Sequence, residues 1–175
     1  MSPREALSSA LESVMSRFSR MLRSVGRRRG LDDVDLQEME QEVRLRLWRA
    51  LGTSERIETA KTSYIYQTAM SATLDLIRRR RARPEEDLES VEVPTAGSDT
   101  SYEHQELGAR IDSAVGALDE PRSVVVRLHL SGYHREEIAQ LLGWTEPKVR
   151  NLLYRGLEDL RALLLERGIS PRHIA

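Results

Sequence analysis

The chain contains no cysteine. Disulfides, thiolate metal sites and cysteine nucleophiles are therefore excluded, which suits a reducing cytoplasm. Long apolar runs are missing as well, with nothing near the about 18 consecutive apolar residues that a membrane-spanning helix needs. The N-terminal stretch MSPREALSSALESVMSRF carries charges where a secretory signal requires a continuous apolar core, so the chain reads as soluble, cytoplasmic and not inserted in a membrane. Its four histidines, His104, His129, His134 and His173, have no ligand spacing such as His-x-x-x-His, and there is no phosphate-binding loop. Neither a metal nor a cofactor is expected, nor a small-molecule substrate, and an enzyme is the least favoured class. Strict alternation of apolar and polar residues is sustained nowhere, so no strand is expected.

What the chain does have is segregated charge. The formal net charge is only −1, yet residues 1 to 83 hold 17 Lys+Arg against 11 Asp+Glu, residues 84 to 120 hold 1 against 11, and residues 121 to 175 hold 9 against 6. Two basic blocks flank an acidic strap. Paired basic modules suit a polyanion touched at two places, with nucleic acid the commonest candidate, although solvated basic helix faces account for the charge equally well.

Apolar residues from Leu7 to Val25 recur in steps of three and four, the period of one buried helical stripe. GRRRGLDD interrupts the pattern, and Asp32, Asp33 or Asp35 is placed to cap a second helix running to Leu51. A third begins near Lys61 or Ser63 and ends in RRRRAR before Pro84, because proline disfavours the helical conformation of its predecessor. Residues 1–83 thus read as a three-helix module. Residues 84–104, PEEDLESVEVPTAGSDTSYEH, have two prolines, many acids and no sustained period, and read as a linker. Helical patterning returns over 105–175. The expected fold is all-α: two small helical domains joined by a flexible acidic linker.

In REEIAQLLGWTEPKVRNLLYRGLEDLR, two helices are separated by a turn around Gly143 to Thr145. Gly143 can supply the positive φ that stops the first, Thr145 can cap the second, and Pro147 falls in a first turn whose amides lack partners anyway. This is helix-turn-helix spacing. On the second helix Val149, Leu152, Leu153, Leu157, Leu160 and Leu164 share one side, whereas Lys148, Asn151, Tyr154 and Arg155 share the other, with Arg150 at the edge. Lys148 and Asn151 are the base-reading candidates in a major groove; Arg135, Arg150 and Arg155 suit phosphates. Gly156 counts against this reading, since glycine within a helix costs about 1 kcal/mol relative to alanine.

In the first module, DLQEMEQEVRLRLW sets Glu38, Gln41 and Glu42 beside Trp48, a composition that suits a protein partner, although a lone Trp at helical spacing is more often core. YIYQTAMSATLDLIRRRRAR joins Tyr64, Tyr66, Gln67 and Ser71 to Arg78, Arg79, Arg80 and Arg81. Aromatic faces hold unstacked bases and guanidinium groups neutralise the backbone, so this stretch suits separated strands. Asp75 and Arg78 can pair on one helix face.

These three blocks, in this order, resemble the extracytoplasmic-function group of sigma-70-type RNA polymerase sigma factors. The resemblance implies that 1–83 is sigma region 2, 84–104 the linker and 105–175 sigma region 4. It implies that Glu38, Gln41, Glu42, Leu45 and Trp48 dock on core RNA polymerase. The helix bearing Tyr64, Tyr66, Gln67, Ser71 and Arg78 to Arg81 would capture and melt the −10 element, while Arg135, Lys148, Arg150, Asn151, Tyr154 and Arg155 would hold the −35 element. The implied partners are core polymerase, promoter DNA and an anti-sigma factor. Ser71 stands where the family commonly has Asn, Tyr64 where it has Trp, Lys148 where it has Thr, Gly156 where it has Ala, and His134 where it has a Ser or Thr cap. The alternative is a conventional helix-turn-helix regulator with an N-terminal sensing or dimerisation module, which gives no reason for Gln41-Glu42 beside the tyrosine and arginine helix.

Overall fold

The computed structural model describes residues 2–82 and 98–170. Every regular element among them is helical, and the chain divides into two compact units, 1–106 and 107–175. Residues 84–97 of the expected linker lie outside the described residues. No helix among the described residues is long and apolar enough to cross a membrane.

The first unit contains α1 (Pro3–Arg17), α2 (Ser19–Arg27), α3 (Asp33–Leu51), the short α4 (Ser54–Glu58) and α5 (Thr62–Arg81). Ser2 and Glu5 form a reciprocal capping box that starts α1, and Pro3 adds a preset φ. The stripe expected to form one helix over 7–25 is divided at Phe18, whose φ of −104° and ψ of 11° leave the helical region. The bend sends the buried Phe18 ring inward and lets α1 lie on α4 while α2 lies on α3 and α5. Of the three candidate caps for α3, Asp32 is the one used, accepting from the Asp35 amide at 2.8 Å. GTSERIET, expected to be a break, holds α4, whose N-cap Thr53 accepts from Arg56 and whose Ile57 is fully buried. Phe18, Met21, Leu22, Leu36, Met39, Leu47, Ile57 and Ile65 form the unit's core.

Helix α6 (Ser98–Gly116) begins before the linker was expected to end. Tyr102, Glu103 and His104 are exposed there, and the sequence SDTSYEH shows no apolar period. In the second unit α7 (Glu120–Leu130) and α8 (Arg135–Leu142) both pack on α9 (Glu146–Glu166), around Val125, Val126, Leu128, Ile138 and Val149. Gly143 stops α8 at φ 63°, and the next amide, Trp144, donates to the Ala139 carbonyl at 2.9 Å. Thr145 takes the N-cap position of α9 without a side-chain hydrogen bond.

Gly156 proves to be required by packing. A Cβ there would meet Val126 Cγ2 at 2.7 Å and Arg122 Cβ at 3.3 Å, so the missing side chain is what lets α7 approach α9. Across the same contact Arg122 binds Asp159 at 2.7 Å. Its cost in helix propensity is therefore offset by a close crossing, and it is no objection to a helix-turn-helix. Gly156→Ala gains about 1 kcal/mol of propensity but overpacks a stiff, fully buried valine, which typically costs about 1–3 kcal/mol. The expected result is a lower thermal unfolding midpoint; a midpoint that rises would show that the crossing has room to spare.

Candidate nucleic-acid and polymerase interfaces

Helices α3 and α5 lie against each other and carry most of the sequence-predicted residues of the first unit. On α3, Glu38, Gln41, Glu42, Leu45 and Trp48 recur at steps that share one face. Trp48 is 47% exposed and Leu45 39%, so the tryptophan is surface rather than core. An apolar ring and a leucine held in water beside carboxylates are what a protein partner can cover.

The joint between the two helices is Arg46, which sequence reasoning missed. Its Nε donates to Glu42 Oε1 at 2.8 Å, its Nη1 to Ser71 Oγ at 2.9 Å and its Nη2 to Asp75 Oδ2 at 2.8 Å. The other Asp75 oxygen accepts from Arg78 at 3.3 Å, the pair expected from their spacing. The Glu42 hydrogen bond, only partly opposed by burial, raises the Arg46 pKa, and the Arg46 hydrogen bond holds Asp75 below the usual carboxylate range. Of the Arg46 bonds, only the one to Glu42, at a spacing of four, lies within one helix; those to Ser71 and Asp75 cross to the neighbour.

Beside this network an open cleft of about 490 Å³ is lined by Arg46, Arg49, Ala50, Tyr64, Gln67, Thr68 and Ser71. Tyr64 is 40% exposed and Gln67 and Ser71 are exposed, so three candidates for contacting the −10 element come together around one opening. Tyr66 does not join them. It is 4% exposed and packed into the core, so its ring is not at the surface that Tyr64 shares.

The arginine run is largely engaged within the unit. Arg78 pairs with Asp75, Arg79 with Glu38 at 3.4 Å, and Arg80 with Asp35, a carboxylate that is fully buried. Arg81 is exposed and makes no ion pair with the described residues. Arg80 therefore has a structural duty, neutralising a charge that burial would otherwise penalise.

In the second unit the two sides of α9 separate as the sequence implies. Val149, Leu153, Gly156, Leu160 and Leu164 are buried; Lys148, Arg150, Asn151 and Arg155 are exposed, and Tyr154 is 74% exposed. Arg135, also exposed, opens α8, where the Glu137 carboxylate reaches back to accept from the His134 amide at 2.7 Å, as the acid of a capping box does. The Lys148 ammonium lies 4.0 Å from the centroid of the Trp144 ring, a contact that the sequence alone did not reveal.

Taken together, the fold and these surfaces are those of a helix-turn-helix unit joined in one chain to a second helical unit with an exposed tryptophan on α3. Residues 14–83 match the sigma-70 region 2 family, and residues 108–160 match sigma-70 region 4. An RNA polymerase sigma-E factor of Streptomyces coelicolor is 31% identical over 166 residues, covering 92% of this chain and 89% of that protein. An ECF RNA polymerase sigma factor, SigM, of Mycobacterium tuberculosis is 28% identical over 166 residues, covering 93% and 82%. The RNA polymerase sigma factor SigV of Bacillus subtilis is 23% identical over 124 residues, covering 70% and 73%. The chain belongs to the extracytoplasmic-function group of the sigma-70 family and is an RNA polymerase sigma factor that directs transcription initiation at promoters. The family binds core RNA polymerase and promoter DNA and is not an enzyme class.

The Arg46 network has a pH signature. Asp75 has a folded pKa below its free value of 3.8, so its pairing stabilises the fold at any pH above the free value. That stability is lost as pH falls through the lowered folded value. Asp75→Asn should therefore lower the unfolding midpoint at neutral pH, and the gap from the parent chain should close below about pH 4; thermal melts from neutral to acid pH measure it.

Proposed function

We propose that the exposed α3 face, Glu38, Gln41, Glu42, Leu45 and Trp48, docks on core RNA polymerase, and that the cleft between α3 and α5 receives an unstacked base of the −10 element. Tyr64 offers a π face, Gln67 and Ser71 offer hydrogen bonds, and Arg49 supplies positive charge at the rim beside the Arg46 network. The observation that carries the reading is this convergence in one opening, whose size falls in the range of about 300–1,000 Å³ usual for small-ligand sites. Arg78, Arg79 and Arg81, in the last turn of the same helix, hold phosphates. The exposed side of α9 lies in the −35 major groove, with Lys148 and Asn151 on bases and Arg135, Arg150, Tyr154 and Arg155 on the backbone. An anti-sigma partner and a cytoplasmic location complete the reading, both carried by family membership.

Reconstitution with core polymerase tests this directly. Promoter-specific run-off transcripts should appear only when the chain is added. Trp48→Ala should lower affinity for the polymerase, whereas Tyr64→Ala should leave that affinity intact and reduce strand opening. A chain that ignores the polymerase and binds intact duplex as a symmetric dimer would instead be a conventional regulator.

A second measurement concerns the arginines. Replacing Arg79 and Arg81 with alanine should flatten the salt dependence of promoter binding by the holoenzyme, reducing the slope of log K against log salt by about 0.7–0.9 for each phosphate that is no longer neutralised. Arg80→Ala is a poor probe because it strands the buried Asp35 charge and should unfold the unit before it reports on DNA. An unchanged slope for the Arg79 and Arg81 variant would remove both from the interface.

A further inference from the structure

Lys148 stands where helix stability does not favour it. It is the third residue of α9, after Glu146 and Pro147, and the unpaired amides of a first helical turn give that end a partial positive charge that disfavours a cation. Nor does it have a carboxylate partner among the described residues: its contact is the indole of Trp144, four residues earlier, with the ammonium 4.0 Å from the ring centroid. Trp144 is itself well fixed. It follows Gly143 in the turn, its amide is bonded to the Ala139 carbonyl, and its side chain is half-buried.

A lysine in water spreads its ammonium over many rotamers, and each contact it makes must overcome the loss of that freedom. A cation over an indole face is attracted by the ring quadrupole, so the ring restricts those rotamers before any ligand arrives. The ammonium is then held at the leading end of α9, the part of a recognition helix that reaches base edges. The ring covers one side of the ammonium and leaves N–H donors pointing outward, and the acceptors that a lysine reads in a major groove are guanine O6 and N7.

We infer that Trp144 is a positioning residue for −35 recognition: its indole holds the Lys148 ammonium ready for a guanine in the duplex. This rests on the reading of α9 as the −35 helix, and the test separates the two. The holoenzyme is titrated with duplexes that vary each base pair of the −35 element. Lys148→Ala first identifies the guanine, as the position where preference falls by about fivefold to a hundredfold. Trp144→Leu, which keeps apolar bulk but has no π face, should lose preference at that same position with little change at the others. Trp144→Phe should give an intermediate ratio, and the Trp144→Leu, Lys148→Ala double variant should discriminate no worse than Lys148→Ala alone.

Wild-type preference in both Trp144 variants, equal weakening on every sequence, or losses that add in the double variant would each overturn the inference and leave Trp144 a packing residue. Should Leu not be tolerated by the fold, as thermal melts would show, the Phe variant decides between the intermediate and the wild-type ratio. If Lys148→Ala and Asn151→Ala both leave preference unchanged at every position, the assignment of α9 to base reading fails first, before any question about the ring.

Discussion

The first unit depends on one guanidinium. Arg46 divides its fork between two helices, Glu42 on its own and Ser71 and Asp75 on the neighbour, and so ties α3 to α5 beside the surfaces proposed for the polymerase and for DNA. A lysine in that place could supply charge but not three directed bonds in one plane. Because the fork also lines the cleft, the opening between the helices has a rigid edge. Rigidity there would serve the role proposed for the cleft, since a site that holds an unstacked base loses affinity if its own walls have first to be ordered.

Charge in this unit is arranged by the cost of burial. Asp35 sits at the start of α3, where the helix dipole favours an acid, but it is fully enclosed, and an enclosed carboxylate needs a cation close by. Arg80 meets that need from the far end of α5. The arginine run is thus partly an internal counterweight and partly a surface, and the two duties fall on adjacent residues because successive helical positions turn by about 100°.

The same rotation explains what could and could not be read in advance. Helices α3, α5 and α9, the Asp32 cap, the Gly143 turn and the outward side of α9 are all local matters of period and capping, and these were legible. Tyr64 and Tyr66 were grouped because they are near in sequence, yet two steps of about 100° put them on opposite sides of α5. Phe18 gave no sign of a bend, because the apolar stripe continues through it and the bend serves tertiary packing. The first turns of α6 were hidden for the opposite reason, having no stripe at all. Arg46 and Trp144 were missed because their meaning lies in partners: an aspartate 29 residues away for one, and an ammonium held over a ring for the other. Gly156 was read by propensity alone, and only the neighbouring helix reveals why a larger side chain is absent.

Glu38 on α3 and Arg79 on α5 hold each other across the joint between the two helices. One end belongs to the surface proposed for the polymerase and the other to the surface proposed for DNA, so neither can be fully engaged while the pair persists. Whichever macromolecule arrives first relieves its successor of that competitor, and thermodynamic reciprocity makes the assistance equal in both directions. Both side chains are about half in water, and such exposed pairs are worth about 1 kcal/mol at most, so the mutual help amounts to a few-fold and no more. It is a bias toward assembling the ternary complex, too weak to act as a lock.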